Sequence, residues 1–348
     1  MKAMSWKRDI LFVLLVLILI GIFYPKFVTA EGAFLTADHS QQHFPWANLL
    51  SESIKEFKIP YWTSGIHCGF PILAEGQIGA FYLPNLLFYF FLSIKVAYAY
   101  ITLFHFFLGG LFMYVYARSI GLRSLSSFFA SILFVFGSTF AGGFYNVTSL
   151  KTLCWFPLAL FLIEKLLRSR RLIYSLILGA VFGLSILAGY LQLAIYLCAF
   201  SSLYFIFRLA FDREEKLKAG QVSHAVLLYL IAVIISLVIS GWQLWLTFQL
   251  SFLSNRTGMS ESFAYIGSFS PANFITFFYP ALSGVFRGSV VYVGIITMIF
   301  ILLSSAKQKR WKVILWMFIA AMFLALGKYN PLYILLIKLT RIYVFRVP

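Results

Sequence analysis

Long apolar runs separated by short basic loops are the feature that most constrains the fold of this 348-residue chain. Hydrophobic residues make up 61% of the sequence and charged residues 11%. Soluble domains carry about 25% charged residues, so this composition is that of a membrane protein. A helix that crosses the bilayer needs about 20 mainly apolar residues, and several runs approach that length. The sequence therefore predicts an all-α polytopic membrane protein.

The predicted bundle contains about nine or ten transmembrane helices. The first apolar run follows Lys2, Lys7 and Arg8, which places the N-terminus in the cytoplasm. A signal peptide is the alternative for this run, because Val28–Ala30 resembles a cleavage site. We predict membrane spans at 10–27, 94–117, 125–142, 150–167, 172–188, 190–210, 223–246, 289–305 and 311–327.

The net charge of +17 follows the same pattern, because most basic residues fall at the N-terminus or in alternate short loops. The positive-inside rule assigns those loops to the cytoplasm. It accounts for the positive net charge without nucleic-acid binding. The chain is therefore predicted to begin with a span at 1–28 and an extracytoplasmic loop at 29–93. Spans two to seven follow at 94–246, and a second extracytoplasmic loop at 247–288. Residues 289–348 would hold spans eight and nine and then a truncated re-entrant or interfacial segment.

Two pieces of the first loop are predicted to form helices at the membrane surface. In 42–57, four apolar side chains would share one helix face: Phe44, Leu49, Ile54 and Phe57. The apolar stretch 81–92 is too short to cross the bilayer, so we expect it in the interface. The chain ends at Pro348 without a polar tail, and we expect it to be the N-terminal part of a longer protein.

Polar residues that could carry chemistry concentrate in this first loop. His39 and His43 are four residues apart and would share a helix face near Asp38, where they could hold a divalent cation or serve as simple hydrogen-bonding groups. Glu75 and Gln77 lie in a glycine-rich turn that lacks the Lys-Ser or Lys-Thr of a phosphate loop. The three cysteines, at 68, 154 and 198, give neither a disulfide framework nor a zinc cluster.

Ten short pieces of the chain form an ordered set: Asp38 with Gln42 and Pro45, Pro60–Trp62, Gly69–Pro71, Gln77–Pro84, Ala188–Gln192, Ser254–Arg256, Phe278–Pro280, Tyr292–Gly294, Ala325–Gly327 and Phe345–Pro348. This set resembles the YfhO-type bacterial membrane protein family, which belongs to the GT-C glycosyltransferase superfamily. One departure is Tyr190-Leu191, where the family often has His-Pro, and another is His39, where an apolar residue is commoner.

This resemblance implies a GT-C-like bundle in the bacterial plasma membrane. The enzyme would move a sugar from a polyprenyl-phosphate donor to an acceptor on the cell surface, with the active site outside the membrane. It implies Asp38 as the catalytic base or a metal ligand, although Asp38 could instead cap a helix. The predicted substrate-binding residues are His39, Gln42, His43, Glu75, Gln77 and Gln192.

The external basic residues Arg256 and Arg346 lie in family-like pieces and are predicted to bind phosphate, with lipid headgroups as the alternative ligands. A transporter or flippase for a lipid-linked glycan is the main alternative function, and a non-catalytic membrane scaffold is another. A transport path would need charged residues inside the spans. Only Glu164 and Lys165 were expected there, so transport is the less favoured prediction.

Overall fold

The structure is a computed structural model that describes residues 6–31, 38–137, 140, 146–211, 218–254, 261–279 and 309–340. These residues form helices and connecting turns, with one isolated antiparallel bridge between Thr63 and Phe70. Three of the helices are long and apolar enough to cross a membrane: 94–119, 191–211 and 219–252. The described part of the chain is therefore helical, with apolar segments suited to a membrane.

The α-helices are numbered here in chain order. A π-helix, His39–His43, directly precedes α3, and 3₁₀-helices cover Pro271–Phe277 and Gly327–Tyr329. The α-helices are α1 (Trp6–Phe23), α2 (Pro25–Val28), α3 (Phe44–Lys55), α4 (Ile72–Glu75), α5 (Leu83–Phe91), α6 (Ile94–Ser119), α7 (Ser124–Phe136), α8 (Val147–Leu153), α9 (Phe156–Ser169), α10 (Leu172–Leu187), α11 (Leu191–Phe211), α12 (Ala219–Phe252), α13 (Glu261–Ala264), α14 (Lys309–Ala325) and α15 (Pro331–Thr340).

The predicted spans 10–27 and 150–167 are wrong as continuous helices, and 10–27 is divided between α1 and α2 at Tyr24. The run 150–167 is divided between α8 and α9, with a break at Cys154 and Trp155. Pro157 lies in the first turn of α9, where its missing N–H is tolerated. In a continuous helix the same proline would leave a carbonyl of the preceding turn without its donor. The run 289–305, also predicted as a span, lies outside the described residues.

The predicted surface helix at 42–57 is replaced by the π-helix and α3, which ends at Lys55. Phe44, Leu49 and Ile54 pack on the buried core of the first loop, as the shared face predicts. Phe57 does not, because it lies past the helix end with a φ of 55° and is 86% exposed. The apolar stretch 81–92 forms α5, whose nine residues are too few to cross a bilayer.

The chain divides into two compact units, and the first comprises residues 1–136, 140–197 and 223–248. Helix α6 packs there against α1, α3, α5, α7, α8 and α9. A close α6–α7 contact is made at Gly110, whose carbonyl accepts a 2.5 Å hydrogen bond from Ser131. Asp9 of α1 binds Arg118 of α6 at 3.0 Å and accepts a 2.8 Å hydrogen bond from Ser124 of α7.

Helices α10 and α12 pack through small residues in the same unit. A Cβ added at Gly179 would lie 2.6 Å from the carbonyl oxygen of Ala232, and one added at Gly183 would lie 2.8 Å from Ile239. Ser175 donates a hydrogen bond to the carbonyl of Leu228. Small residues spaced by four let two membrane helices approach closely, so this pair is positioned by backbone contact.

The second unit comprises residues 137–139, 198–222 and 249–348. In its described part, α15 packs on α13 through Tyr333, Ile337 and Ala264. The backbone N–H of Phe269 donates to the carbonyl of Ala325 at 2.8 Å, which fastens the loop before the 3₁₀-helix to the end of α14. Lys338 lies in the last turn of α15.

Candidate functional site

The π-helix brings together the two histidines of the first loop. The rings of His39 and His43 lie on one face with centroids 5.7 Å apart, and both residues are buried. The Nδ1 atom of His39 is 2.6 Å from the hydroxyl of Tyr98 on α6. Asp38 directly precedes this helix, and its side chain is exposed and makes no capping hydrogen bond. Its helical φ and ψ of −64° and −37° explain this, since a capping residue is normally non-helical.

The glycine-rich turn brings the second polar segment beside the π-helix. Gly76 and Gly79 have φ values of +88° and +64°, which only glycine adopts freely, so the chain reverses direction here. Gln77 lies between them and donates through Nε2 to Glu75 Oε1 at 2.5 Å. Gln42 donates to Gln77 Oε1 at 3.2 Å across 35 residues of sequence. Three predicted site residues therefore form one hydrogen-bonded chain.

A pocket lies between these two segments, α5, α6 and α8. The free space inside it is small, about enough for one water molecule. Its lining residues are His43, Trp46, Ala47, Gln77, Ile78, Tyr89, Tyr98, Val147, Thr148 and Lys151.

Lys151 is the cationic side chain of this pocket, and it is 3% exposed. Its ammonium donates to Asn85 Oδ1 at 2.8 Å and to the hydroxyl of Tyr89 at 3.3 Å. Burial raises the pKa of Tyr89, so this phenol stays neutral at physiological pH. Asn85 is also buried, and its Nδ2 donates to the carbonyls of Ile78 and Gly79 at 3.2 and 2.9 Å. This one amide thus links the lysine to the glycine-rich turn.

Helix α12 and the turn before α11 hold the glycine-rich segment in place. Gln243 donates to the carbonyl of Leu73 at 3.0 Å, and Thr247 donates to that of Ala74 at 2.8 Å. Gly189 has a φ of +104°, and a Cβ there would lie 2.7 Å from the carbonyl oxygen of Gln77. Glycine is therefore required at 189 both by its conformation and by the approach of the Gln77 backbone.

Asp38 does not line the pocket, and the other predicted site residues fall into four groups. His43 and Gln77 line the pocket, while His39, Gln42 and Glu75 contact those two side chains. Gln192 does not line it and donates instead to the hydroxyl of Tyr196 on its own helix at 2.8 Å. The predicted phosphate ligands Arg256 and Arg346 lie outside the described residues.

The residues that the structure describes contain no preformed cluster of ligands for the predicted divalent cation. No three His, Cys, Asp or Glu side chains there are close enough to hold a metal ion together. His39 and His43 supply two nitrogen atoms, and Asp38 is the adjacent carboxylate in the sequence. Whether these residues bind metal stays an open prediction of the sequence.

Lys151 and Asn85 are functional candidates that the sequence reasoning missed. Lys151 falls at the start of the predicted span 150–167, so it should have been counted with Glu164 and Lys165 among the charges of the spans. A lysine at the end of an apolar run normally extends its ammonium to the interface. Here α8 ends two residues later at Leu153, and α5 covers the ammonium. Glu164 is fully buried and pairs with Arg168 at 3.1 Å.

His43 is neutral at physiological pH because of its surroundings. Burial is the main cause, followed by the positive charges on His39 and Lys151, and together they lower the pKa of His43 from 6.5 to about 4. A neutral imidazole can accept a hydrogen bond from a hydroxyl group of a ligand. His43 can therefore bind a sugar or an acceptor alcohol, whereas a charged imidazolium could only donate.

The lowered pKa of His43 predicts acid sensitivity. In the unfolded chain this histidine takes up a proton near pH 6.5, but in the folded protein it does so only near pH 4. The neutral His43 thus contributes its full stabilisation above pH 6.5, and this contribution is lost as the pH falls towards 4. The free energy of unfolding falls by roughly 3 kcal/mol in all. We expect thermal unfolding midpoints in detergent to fall over this range for the wild type and to fall less for His43→Gln.

His67→Gln is the matched control for this measurement, because His67 is an exposed histidine of the same loop. It should keep the pH dependence of the wild type. If the midpoints of His43→Gln and the wild type fall in parallel between pH 7.5 and pH 4, His43 is not the group that titrates.

No family model, curated protein or solved structure matches this chain. The resemblance to the YfhO-type family consequently stays a prediction of the sequence.

Proposed function

We propose that this chain is the membrane part of a GT-C-type glycosyltransferase that moves a sugar from a polyprenyl-phosphate donor to an acceptor outside the bacterial plasma membrane. The observation that carries the proposal is that polar side chains from two segments of the first loop lie next to each other. Gln42, Gln77 and Glu75 form one hydrogen-bonded chain beside the pocket-lining His43. Amide, carboxylate and neutral imidazole groups are those that bind sugar hydroxyls.

The position of this cluster also favours a lipid-linked substrate. It packs on α6, a helix long and apolar enough to cross a membrane. Around α5 and the end of α3, exposed apolar side chains include Phe57, Leu83, Leu87 and Phe91. An apolar surface next to a polar pocket suits a donor whose tail lies in lipid and whose headgroup must reach water.

In the proposed reaction, an acceptor hydroxyl attacks the anomeric carbon while the bond from that carbon to the carrier's phosphate oxygen breaks. Asp38 takes the hydroxyl proton as the new bond forms, and the electron pair of the broken bond leaves with polyprenyl phosphate. The transition state resembles an oxocarbenium ion. The exposed Asp38 makes no capping hydrogen bond, so its carboxylate is not used to cap the N-terminus of the π-helix.

The proposal is tested with the complete protein in membranes supplied with a panel of polyprenyl-phosphate sugars. We expect mass spectrometry to detect unsubstituted polyprenyl phosphate and a sugar-modified acceptor, in equal amounts, from at least one donor. Membranes without the protein are the control. Movement of an intact lipid-linked sugar across the membrane, with its glycosidic bond unbroken, would overturn the proposal and establish the transporter alternative.

A further inference from the structure

A buried lysine ammonium with no negatively charged partner among the described residues is the least expected feature of the first unit. Lys151 is 3% exposed and takes part in none of the ion pairs that the described residues form. Its two hydrogen-bond acceptors, Asn85 and Tyr89, are neutral groups. Burial lowers the pKa of Lys151 from 10.5 to about 7. An opposite charge beside it would offset the cost of holding the ammonium there, so the position favours an anion from outside the chain.

The geometry around Lys151 leaves one donor for such an anion. A lysine ammonium has three N–H donors, and two of them are used by Asn85 and Tyr89. Lys151 also lines the pocket, together with the polar groups of Thr148, Gln77 and His43. A third donor, a cavity and further polar groups therefore occur together at one place.

We propose that Lys151 is the anion-binding group of a subsite for a phosphate group. On the proposed function, this phosphate is that of the lipid carrier, and its negative charge is paired by Lys151 when the sugar leaves. Phosphate suits the pocket better than a carboxylate alone, because its several oxygens can accept from Lys151 and from a neighbouring donor such as Gln77 at once. The pocket is small, so the tail would remain outside it.

The test compares three probes on the complete protein in detergent: a short-chain prenyl phosphate, the prenyl alcohol of the same chain length, and inorganic phosphate. We expect the wild type to bind the prenyl phosphate at least about tenfold more tightly than the alcohol, because a charge-assisted hydrogen bond is gained. The Lys151→Met variant should lose that preference. Lys95→Met, which removes a lysine at an exposed position of α6, should keep it.

Several outcomes would overturn the subsite. These are equal binding of the phosphate and the alcohol by the wild type, an unchanged preference in Lys151→Met, and an equal loss in Lys95→Met. If Lys151→Met does not unfold cooperatively, Lys151→Gln is measured in its place, since glutamine keeps a donor for Asn85 without the charge. Inorganic phosphate that binds as tightly as the prenyl phosphate, with the same dependence on Lys151, would support the subsite and overturn the lipid carrier as its source.

The binding assay also separates this inference from the proposed function. Lys151-dependent phosphate binding without sugar transfer would count against the glycosyltransferase alone. If the wild type transfers sugar but Lys151→Met binds the prenyl phosphate as tightly as the wild type does, the result would count against the subsite alone.

Discussion

We expect the Asp38→Asn variant to transfer sugar about 10²–10⁴-fold more slowly than the wild type, the range typical for loss of a general base. Asparagine has nearly the same size as aspartate, but it cannot take up the proton of the acceptor hydroxyl. The measurement is the initial rate of sugar transfer in membranes, at equal amounts of folded protein. This effect depends on the proposed function and is the largest that we predict.

The surroundings of Asp38 make the result interpretable. Its side chain is exposed and makes no capping hydrogen bond, so the substitution should change the free energy of unfolding by less than about 0.5 kcal/mol. Glu52→Gln is the matched control, because it neutralises another exposed carboxylate of the same loop. We expect it to keep the wild-type rate. Full activity of Asp38→Asn would remove Asp38 from the mechanism, and an equal loss in Glu52→Gln would mean that only the net charge of the loop matters.

The largest effect on stability is expected for Asn85→Leu. Asn85 is 1% exposed, donates to two backbone carbonyls and accepts from Lys151. Leucine fills a similar volume but leaves those three buried groups without this partner. Each unsatisfied group costs about 1–3 kcal/mol, so the total is at least about 3 kcal/mol. We expect a clearly lower thermal unfolding midpoint in detergent.

Two further substitutions test the cause of that loss. Asn48→Leu is the control, because Asn48 binds Glu52 on the exposed side of α3 and its replacement should change little. Asn85→Asp keeps an acceptor for Lys151 but removes both donors, so its midpoint should lie between those of the wild type and Asn85→Leu. An unchanged midpoint in Asn85→Leu would show that the three hydrogen bonds contribute little to stability.

The helical architecture was accessible from the sequence because it depends on local information. Apolar runs predicted α6, α10, α11 and α14 to within a few residues at each end. The glycine-rich turn was also predicted as a site of unusual backbone, and Gly76 and Gly79 have positive φ values. The spacing of four residues placed His39 and His43 on one face, which the ring distance of 5.7 Å confirms.

The composition of the pocket was not accessible in the same way. Lys151 and Asn85 are 66 residues apart, and Gln42 and Gln77 are 35 apart, so no local pattern links the members of either pair. Pro157 indicated a helix start within the run 150–167, but hydropathy summed over the window concealed it. The exposure of Asp38 and Phe57 likewise depends on how the loop folds back on α5 and α6.

The sequence by itself determined that this chain is helical and suited to a membrane, since apolar length and the spacing of charges act along the chain. It also showed that polar groups concentrate in the first loop. Only the tertiary structure decided which of those groups meet and that a lysine lies buried among them. The physical reason is that burial and pairing depend on what other segments bring to the same place, and here α5, α6 and α8 enclose the ammonium of Lys151.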